Sequence, residues 1–414
     1  MSIALQNGKA SATQAQTGLA DIFSKFGDAY QKTHYLNLTQ RKAMRAITSC
    51  RTAALGGHRD WCQRCGFERY LYHSCRNRHC PKCQSLVKAK WLLDRQRELL
   101  PVPYFHNVFT LPHELNALIL WNEQNRRLLL NLLFQAASAT LLAFGKNNLG
   151  GKIGFTMILH TWDQQLRPHF HVHALIASGA MADDGERWIA GGREYLFPVR
   201  ALSQVFRAKY LDGVAALLAK QELEIPASVP MLSSPQGCRR WLRRLRKKRW
   251  VIYSKRPFSG PKKLLDYLGR YTHRVAISDH RIISCESDQV RFKYRDRRDN
   301  NRCKVASLST DGFITRFLLH VLPNGFRRVR HYGYLANRNK RRDIARCREL
   351  LGVRIHVIDE EEQPKTVADW MLFITGLDIT CCPSCGGPLS RESLPLPGEM
   401  PTPKTICPQP WDTS

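Results

Sequence analysis

The chain has 414 residues, of which 43% are hydrophobic, so it can bury a sizeable core divided over two or three domains. Its 64 lysines and arginines outnumber 34 acidic residues, and the formal charge of +30 favours a polyanionic partner, most simply nucleic acid. A merely basic soluble protein and a binder of anionic membranes are the alternatives. No segment approaches the roughly 18 uninterrupted apolar residues of a membrane span, and the first residues lack the layout of a secretory signal. We therefore expect a cytoplasmic protein with no membrane partner.

The predicted elements alternate between helices and strands along the chain. Residues 1–30 are polar and rich in Gln, Ala and Ser, which predicts a mobile arm. Helices are expected over residues 39–47, 85–100, 114–144 and 203–219. Strands are expected over residues 105–111, 154–161, 171–177 and 250–254, and about nine polar residues separate the second strand from the third. A further helix is expected from Lys262 to about Tyr271, after a Ser-Gly-Pro start signal.

Fourteen cysteines in an intracellular chain indicate metal ligands, because disulfides are rare in a reducing compartment. Cys62-x2-Cys65 and Cys80-x2-Cys83 form two knuckles separated by 14 residues, and this spacing predicts one four-thiolate Zn²⁺ site. Gly66 follows the first knuckle, where a turn often needs a positive φ. A closed site of this kind is structural, since it leaves no position for a substrate.

Other cysteines and histidines offer further metal sites. Four residues that interleave with the two knuckles could hold a second zinc ion, namely Cys50, His58, Cys75 and His79. Towards the C-terminus, Cys382 and Cys385 form another possible knuckle, with only Cys381 and Cys407 nearby to complete it. A buried, reduced cysteine cluster without metal is the alternative for all of these residues.

A run of histidines at every second position, His169, His171 and His173, lies at the third predicted strand. Strand side chains alternate between faces, so these imidazoles should share one face. Two of them can bind one divalent ion, with a third ligand from elsewhere, for which His160 and Asp163 are candidates. Histidines that merely pack are the alternative. The residue types leave open a catalytic zinc and an Mg²⁺ or Mn²⁺ ion on a phosphate oxygen.

Two tyrosines, Tyr267 and Tyr271, are four residues apart in the expected helix, so they should lie on one face of it. A tyrosine is a poor nucleophile at neutral pH and needs nearby positive charge or a metal ion. Basic residues that would attract phosphate and favour a phenolate surround the pair: Lys262, Lys263, Arg270 and Arg274. Two half-buried aromatic residues on an amphipathic helix are the alternative.

A strongly basic stretch covers residues 238–250, where arginines and lysines surround Trp241 and Trp250. This stretch predicts a groove for single-stranded DNA in which the tryptophans stack on bases. A packed amphipathic helix is the alternative. The residues expected to contact DNA are Arg239, Arg240, Arg243, Arg244, Lys247, Lys248, Arg270 and Arg274.

In combination, these motifs resemble a known family. The segment CRNRHCPKCQ at residues 75–84, the His-hydrophobic-His strand and YLGRYTHR at residues 267–274 occur in this order in rolling-circle insertion-sequence transposases. These belong to the HUH nuclease superfamily, and the subgroup is insertion-sequence family ninety-one with its common-region relatives. The runs RFLLHVLPNGF at residues 316–326 and RHYG at residues 330–333 resemble the same family, so the likeness spans about residues 30–345.

The resemblance implies an α+β fold. A small zinc-binding domain would precede an HUH-type nuclease domain, whose central antiparallel sheet is flanked by helices and carries two histidines on a middle strand. It implies a catalytic Mg²⁺ or Mn²⁺ ion at His171 and His173, with His169 as the alternative to one of them. Tyr267 and Tyr271 would attack DNA phosphates, which gives a 5′-phosphotyrosine and a free 3′-hydroxyl without a nucleotide cofactor.

The expected partner is DNA, both the single-stranded ends of the element and its target, in the nucleoid of a bacterial cytoplasm. The sequence contains no Walker-type loop, so strand unwinding would come from host replication or helicase functions. A plasmid relaxase or a replication initiator would use the same chemistry. A non-catalytic zinc-containing nucleic-acid binder and a zinc hydrolase for a small substrate are alternatives of other classes. The N-terminal zinc-binding module and the matching run at residues 316–333 favour transposition.

The expected domain boundaries follow these motifs. A mobile arm takes residues 1–30, a zinc-binding domain residues 31–100 and a catalytic domain residues 101–345. Residues 346–414 form a C-terminal tail with the possible third knuckle.

Overall fold

The fold is known from a computed structural model that describes residues 17–255, Leu264, Gly269, 276–353 and 364–396. Its helices are α1 (Leu19–Thr33), α2 (Leu38–Ser49), α3 (Ser85–Glu98), α4 (Asn116–Trp121), α5 (Glu123–Phe144), α6 (Val199–Ala219), α7 (Pro235–Lys247), α8 (Thr310–Leu318), α9 (Lys340–Leu350) and α10 (Val367–Thr375). The strands are β1 (Gly57–Trp61), β2 (Glu68–Tyr72), β3 (Tyr104–Thr110), β4 (Gly151–Trp162), β5 (Pro168–Ala182), β6 (Trp188–Ala190), β7 (Ile252–Lys255), β8 (Ile282–Glu286), β9 (Gln289–Asp296), β10 (Arg302–Ser309), β11 (Val329–Gly333) and β12 (Ser390–Leu394). The expected α+β class, with antiparallel sheets flanked by helices, is confirmed.

The largest sheet has its strands in the order β11-β4-β5-β3-β7, and β6 pairs with the far end of β5. Neighbouring strands in it run antiparallel. β4 and β5 are longer than the sequence predicts, so only residues 163–167 connect them instead of about nine. The histidine run therefore lies within β5, near the middle of the sheet.

The connection between β4 and β5 is a tight turn fixed by Asp163. Its carboxylate accepts the backbone N–H groups of Gln165 and Arg167, at 2.8 and 2.9 Å. Two side chains from the run at residues 316–326 hold the outside of this turn. Arg316 donates to the carbonyl of Gln165 at 3.2 Å, and Nε2 of buried His320 donates to that of Leu166 at 3.0 Å. The run at residues 316–326 thus has a structural role, because it supports the β4–β5 hairpin that carries the histidines.

The two faces of the large sheet differ in chemistry. Phe109, Phe170 and Val172 point to one face and are buried in the main hydrophobic core, which α5, α6 and α7 cover. The alternate residues of β5, including His171 and His173, point to the opposite face. Helices α5, α6 and α7 therefore cover one side of the sheet, and the polar site lies on the other side, beside a smaller hydrophobic cluster that contains Ile158 and Leu175.

A second core joins the N-terminal helices to the small sheet of β8, β9 and β10. Leu19, Phe23 and Ile47 of α1 and α2 are buried there against Phe313 and Phe317 of α8. The predicted mobile arm is therefore wrong from Leu19 onward. The apolar face of α1 recurs at helical spacing and is buried, which outweighs the polar composition of the preceding residues.

A three-stranded sheet with the order β12-β1-β2 forms the small N-terminal module. β12 lies at residues 390–394, yet it pairs antiparallel with β1, from Gly57 opposite Leu394 to Trp61 opposite Ser390. A segment expected to belong to a separate C-terminal tail therefore completes the sheet of the module that contains the first cysteine knuckle.

Among the described residues, one helical run is long and apolar enough to cross a membrane, namely Glu123–Leu149. This run contains α5, whose residues Leu129, Leu133 and Ala137 are buried in the main core beneath the large sheet.

We predict that Phe206→Ala lowers the free energy of unfolding by about 3–5 kcal/mol, because it removes a ring that is fully buried among Phe109, Tyr210 and Trp250. The matched control is Phe373→Ala, whose ring is 59% exposed, and it should change stability by less than about 0.5 kcal/mol. Denaturant titration of the two variants measures the difference. Equal losses would contradict this description of the core.

Candidate metal centre and nucleic-acid interface

Three buried histidines converge on the polar face of the large sheet. His160 of β4 is directly opposite His171 of β5 in the strand register, and His173 lies one pleat further along β5. Their ligand nitrogens all lie within 4.8 Å of one another. The expected pair His171 and His173 is thus brought together, and His160 is the third member. Three imidazole nitrogens at this spacing can hold one transition-metal ion, and the nitrogen donors suit Mn²⁺ better than Mg²⁺, which prefers oxygen.

Hydrogen bonds behind the cluster fix the orientation of two of these rings. Nδ1 of His171 donates to the carbonyl oxygen of His169 at 2.8 Å, which leaves the lone pair of the neutral ring on Nε2. Nδ1 of His173 lies 2.8 Å from Nε2 of His106 on β3. Such second-layer partners orient metal-ligating histidines. Sequence reasoning missed His106, because a lone histidine in a strand carries no spacing signal.

Burial keeps these imidazoles in the neutral form that a metal requires. Burial, followed by the positive potential of neighbouring His169, lowers the pKa of His171 to about 3. Burial lowers the pKa of His106 to about 3 and that of His173 well below 6.5. The rings therefore stay neutral at physiological pH, with their lone pairs available as ligands.

Two alternative ligands considered from the sequence lie outside the cluster. The carboxylate of Asp163 binds backbone N–H groups of the β4–β5 turn and forms an ion pair with Arg167, whose Nε lies 2.7 Å from Oδ2. The ring of His169 lies beside that of His171, with centroids 4.7 Å apart and ring planes tilted by 46°, but its nitrogens are not part of the three-nitrogen group. The geometry therefore selects His160 over Asp163 and His171 with His173 over a pair containing His169.

The histidine cluster opens into a cavity of about 470 Å³. The end of β9 and the turn that follows it also line this cavity, through Tyr294, Arg297 and Arg298. Arg297 lies close enough to lower the pKa of His173, after the larger effect of burial and the neighbouring imidazoles. Guanidinium groups facing a metal site across a cavity provide the donors that a phosphate group needs.

Tyr267 and Tyr271 lie outside the described residues, as do Arg270 and Arg274. The structure describes two residues near the tyrosines, one before Tyr267 and one between Tyr267 and Tyr271. Leu264 is buried in a cluster with Ile158 and Leu175, which alternate onto the same sheet face as the histidines. Gly269 lies against Leu92 of α3. A Cβ atom added to Gly269 would be only 2.9 Å from Cδ1 of Leu92.

The cysteines form two groups of four, and neither is the group that the spacing predicts. Cys62 and Cys65 lie with Cys382 and Cys385, whereas Cys80 and Cys83 lie with Cys50 and Cys75. The expected site of Cys62, Cys65, Cys80 and Cys83 is therefore wrong as a set. The first knuckle turns towards the C-terminal segment that pairs with β1, and the second turns towards the end of α2.

His58 and His79, expected in a second shell with Cys50 and Cys75, are in neither group. Nε2 of His58 lies 3.8 Å from buried Asp60 in the three-stranded sheet. His79 lies beside the cysteines, but its backbone N–H binds Asn77 and its ring is directed into the interior, where burial lowers its pKa to about 3. Each four-cysteine group is complete without a histidine.

The basic stretch forms α7, and its tryptophans do not stack on bases. Trp241 and Trp250 are 4% and 2% exposed and pack into the main core, so the packed amphipathic helix is the correct alternative. The arginines and lysines of this helix lie on its outer face. Those exposed are Arg239, Arg240, Arg243, Arg244, Arg246, Lys247, Lys248 and Arg249. Arg246 pairs with Asp212 and Lys248 with Glu114, and the rest form a basic stripe suited to phosphate backbones.

Comparisons with known proteins match the architecture. Residues 22–111 match the family described as "Transposase zinc-binding domain", and residues 154–343 match the family described as "Putative transposase". The first range contains the N-terminal cysteines, and the second begins in β4 and contains the histidine cluster. A zinc-binding domain followed by a transposase domain defines the class of this protein.

Two relatives are similar to this chain over most of its length. "Putative transposase y4qJ" from Sinorhizobium fredii (strain NBRC 101917 / NGR234) is 44% identical over 399 residues, which cover 96% of this chain and 98% of that protein. "Transposase for insertion sequence element IS801" from Pseudomonas savastanoi pv. phaseolicola is 29% identical over 70% of this chain and 69% of that protein. This chain belongs to the transposases of insertion-sequence family ninety-one.

A solved structure, "Conjugative Relaxase TrwC in complex with mutant OriT Dna", is 14% identical with a TM-score of 0.22, and the match covers 39% of this chain and 70% of that chain. This likeness is too distant to support any assignment.

We predict that His160→Ala lowers the affinity for Mn²⁺ by at least about tenfold, because it removes one of three converging nitrogens. The control is His169→Ala, which deletes a neighbouring imidazole from the same face and should keep Mn²⁺ affinity within about threefold of wild type. Titration followed by the EPR signal of free Mn²⁺ measures both. A larger loss for His169→Ala than for His160→Ala would show that the ligand set is wrong.

DNA affinity should fall steeply between about 50 and 200 mM salt, because phosphate contacts release counterions. Replacing Arg243 and Arg244 with glutamine should lower the slope of log affinity against log salt by roughly 1–2. Replacing exposed Lys32 and Lys220 makes the same change in net charge away from the stripe and should leave the slope unaltered. Fluorescence anisotropy with labelled DNA provides the measurement, and equal slopes for both double variants would exclude a role for α7.

Proposed function

We propose that this transposase cuts and rejoins single-stranded DNA at the ends of its element through a tyrosine, with a divalent ion held by the histidine cluster. One observation carries the proposal. On a single sheet face, the three imidazoles of His160, His171 and His173 border a cavity lined by arginines. Leu264, three residues before Tyr267, is buried on the same face. The site thus combines donors for a metal, donors for a phosphate and the flank of a tyrosine segment.

The arginines of the cavity would bind the scissile phosphate. Arg297 and Arg298 line the cavity together with the histidines, and Arg167 at the end of the β4–β5 turn lines it as well. A guanidinium group offers paired N–H donors that match phosphate oxygens. Fixed positive groups that stabilise the charge developing on a phosphoryl group account for most of the catalysis in phosphoryl transfer.

The histidine cluster suits a resident divalent ion, because burial lowers the pKa of His171 and of His173 and both rings are hydrogen-bonded on the side away from the cluster. When bound, such an ion supplies Lewis-acid polarisation of a phosphate oxygen. Of the two ions expected from the resemblance, Mn²⁺ fits three nitrogen ligands better than Mg²⁺ does. His106 acts as a positioning residue that keeps His173 in one ring orientation.

Tyr267 would perform the first transfer. Its phenol oxygen forms a bond to phosphorus, the bond from phosphorus to the 3′-oxygen breaks, and the 3′ end leaves as a hydroxyl group that takes up the proton. The 5′-phosphotyrosine retains the energy of the broken bond, so rejoining needs no nucleotide cofactor. Tyr271, four residues later, would support or perform the second transfer that completes transposition.

The four thiols of Cys50, Cys75, Cys80 and Cys83 would hold a structural zinc ion. Sγ of Cys75 lies 3.7 Å from Sγ of Cys83, and the group is packed against the second core. This site would attach the start of α3 to the end of α2. Because Arg78 of the intervening loop donates to the carbonyls of Phe326 and Pro323, the zinc-binding module is tied to the transposase domain.

Plasmid relaxation and replication initiation would use the same chemistry, and transposition is favoured because both curated relatives are transposases. Unwinding of the duplex ends would fall to host replication or helicase functions. A non-catalytic zinc-containing DNA binder would share the basic surface and the cysteine groups, but it would form no covalent link to DNA.

We predict that Tyr267→Phe abolishes the covalent adduct between protein and single-stranded DNA, because it removes only the phenol oxygen and keeps the ring. Tyr271→Phe should leave initial nicking partly intact and impair complete transposition. The assay incubates the protein with Mn²⁺ and end-labelled single-stranded DNA from the element ends, and then follows label that stays on the protein in denaturing electrophoresis.

Tyr294→Phe is the matched control, because Tyr294 is a described tyrosine that lines the same cavity. The proposal expects this variant to form the adduct at the wild-type level. If only Tyr271→Phe eliminates the adduct, the two roles are reversed. An adduct that survives both Tyr267→Phe and Tyr271→Phe but disappears in Tyr294→Phe would move the nucleophile to β9.

A further inference from the structure

We propose that Cys62, Cys65, Cys382 and Cys385 bind one zinc ion, so that two distant parts of the chain share a structural metal site. The thiols of these residues all lie within 4.8 Å of one another. Sγ of Cys62 lies 3.5 Å from Sγ of Cys385, and Sγ of Cys65 lies 3.5 Å from Sγ of Cys382. Four sulfurs bound to one zinc at about 2.3 Å form a tetrahedron with edges of roughly 3.8 Å, close to these distances.

The two cysteine pairs have the same local structure. Each pair is Cys-x-x-Cys followed by a glycine, and both Gly66 and Gly386 have a φ of +72°. The N–H of Gly66 donates to the carbonyl of Cys62 at 3.0 Å, and that of Gly386 donates to the carbonyl of Cys382 at 2.9 Å. Only glycine adopts this left-handed conformation without strain, so the glycine allows the chain to fold back around two thiols.

A second backbone bond completes each knuckle. The N–H of Cys62 donates to the carbonyl of Phe67 at 2.8 Å, and the N–H of Cys382 donates to that of Gly387 at 2.7 Å. The knuckles therefore face each other as two equivalent halves of one four-sulfur cage. By contrast, the residue after Cys83 is a glutamine. Cys80 and Cys83 belong to the group that contains Cys50 and Cys75.

A buried carboxylate holds the two halves together beside the cage. Asp60 of β1 is fully buried and accepts from Arg391 of β12 at 2.7 Å and from Arg69 of β2 at 3.0 Å. Arg69 also donates to the carbonyl of Ile379 at 2.8 Å. The three strands and this ionic network bring Cys382 and Cys385 to the first knuckle.

The site lies only half within the family's zinc-binding range. Residues 22–111 contain all of Cys50, Cys75, Cys80 and Cys83, but they contain only one of the two knuckles described here. The second knuckle comes from residues 382–385, which lie beyond the matched transposase range of 154–343 as well. The C-terminal segment thus supplies half of a metal site in the N-terminal module.

This site would also help to hold α3 in place, the helix against which Gly269 lies. The C-terminal segment that supplies the second knuckle contains α10, which packs against α3. None of the residues of α3 is fully buried, so its position depends on its neighbours on each side. Gly269 lies against Leu92 and Lys88 of the same helix. Loss of the metal should therefore loosen α3 together with the C-terminal segment.

The first test counts zinc in the purified full-length protein by native mass spectrometry. Replacing Cys382 and Cys385 with serine should remove one zinc ion relative to wild type, and so should replacing Cys62 and Cys65. The quadruple variant should still lack only one ion, because both pairs bind the same one. Cys381→Ser is the matched control, since Cys381 adjoins the knuckle but binds Asp378 instead, and it should keep full zinc content.

Two results would overturn the proposal. If the variant without Cys382 and Cys385 keeps the full zinc content, these residues are not ligands. If the quadruple variant loses two ions, the pairs belong to different sites. A conservative replacement, Cys382→His, keeps a zinc ligand and should retain the ion, which separates loss of a ligand from loss of folding.

The second test uses the wild-type protein and needs no variant to fold. Alkylation with iodoacetamide during stepwise removal of zinc by a chelator should expose Cys62, Cys65, Cys382 and Cys385 at one common rate. Exposed Cys303 should react from the start. Hydrogen exchange of the peptide covering α3 should rise in step with these four thiols. Reaction of Cys382 and Cys385 before any zinc is released would contradict the shared site.

Discussion

The pairing of β4 with β5 is the constraint on which the rest of the site depends. This register sets His160 opposite His171, and the period of two along β5 brings His173 to the same face. The same alternation directs Phe170, Val172 and Ala174 into the main core. A slip of one residue would turn the histidines into the hydrophobic core and the apolar residues into the cavity, so the core and the metal site stabilise the same register.

Several distant parts of the chain reinforce that hairpin. Asp163 closes its turn, and Arg316 and His320 bind the turn's carbonyl groups from outside. Leu166 in the same turn has a φ of +62°, a conformation that costs energy for a residue with a side chain. The external hydrogen bonds offset this cost. The run at residues 316–326 therefore has an architectural role, and it contributes no ligand to the described cluster.

The sequence predicts some parts of the site well because they depend on local periodicity. The alternation of histidines in β5 needs only the period of a strand, so the shared face of His169, His171 and His173 could be predicted directly. The choice of His171 with His173 as the pair came from the family resemblance. The sequence does not show whether His160 or Asp163 is the third ligand, because this depends on the hydrogen bonds of the Asp163 carboxylate within the β4–β5 turn. His106 could not be found either, because it reaches the site only through the pairing of β3 with β5.

Long-range contacts explain the remaining differences. The two knuckles that face each other are more than 300 residues apart, so spacing alone favours the nearer but incorrect partner of Cys62 and Cys65. The glycine that follows Cys65 and Cys385, and is missing after Cys83, was the one local signal of the correct pairing. The basic helix was ambiguous for another reason. Trp241, Leu242 and Leu245 form an apolar face that suits a core as well as it suits nucleotide bases.

The central claim is that His160, His171 and His173 form one metal site on the sheet face where Leu264 is buried. Crystals of the full-length protein grown with Mn²⁺ test it through the anomalous scattering of the metal. The account predicts one strong peak within bonding distance of all three imidazoles, with Arg297 across the cavity from it. A peak bound by His169 or Asp163 in place of His160, or no peak on this face of the sheet, would contradict the account.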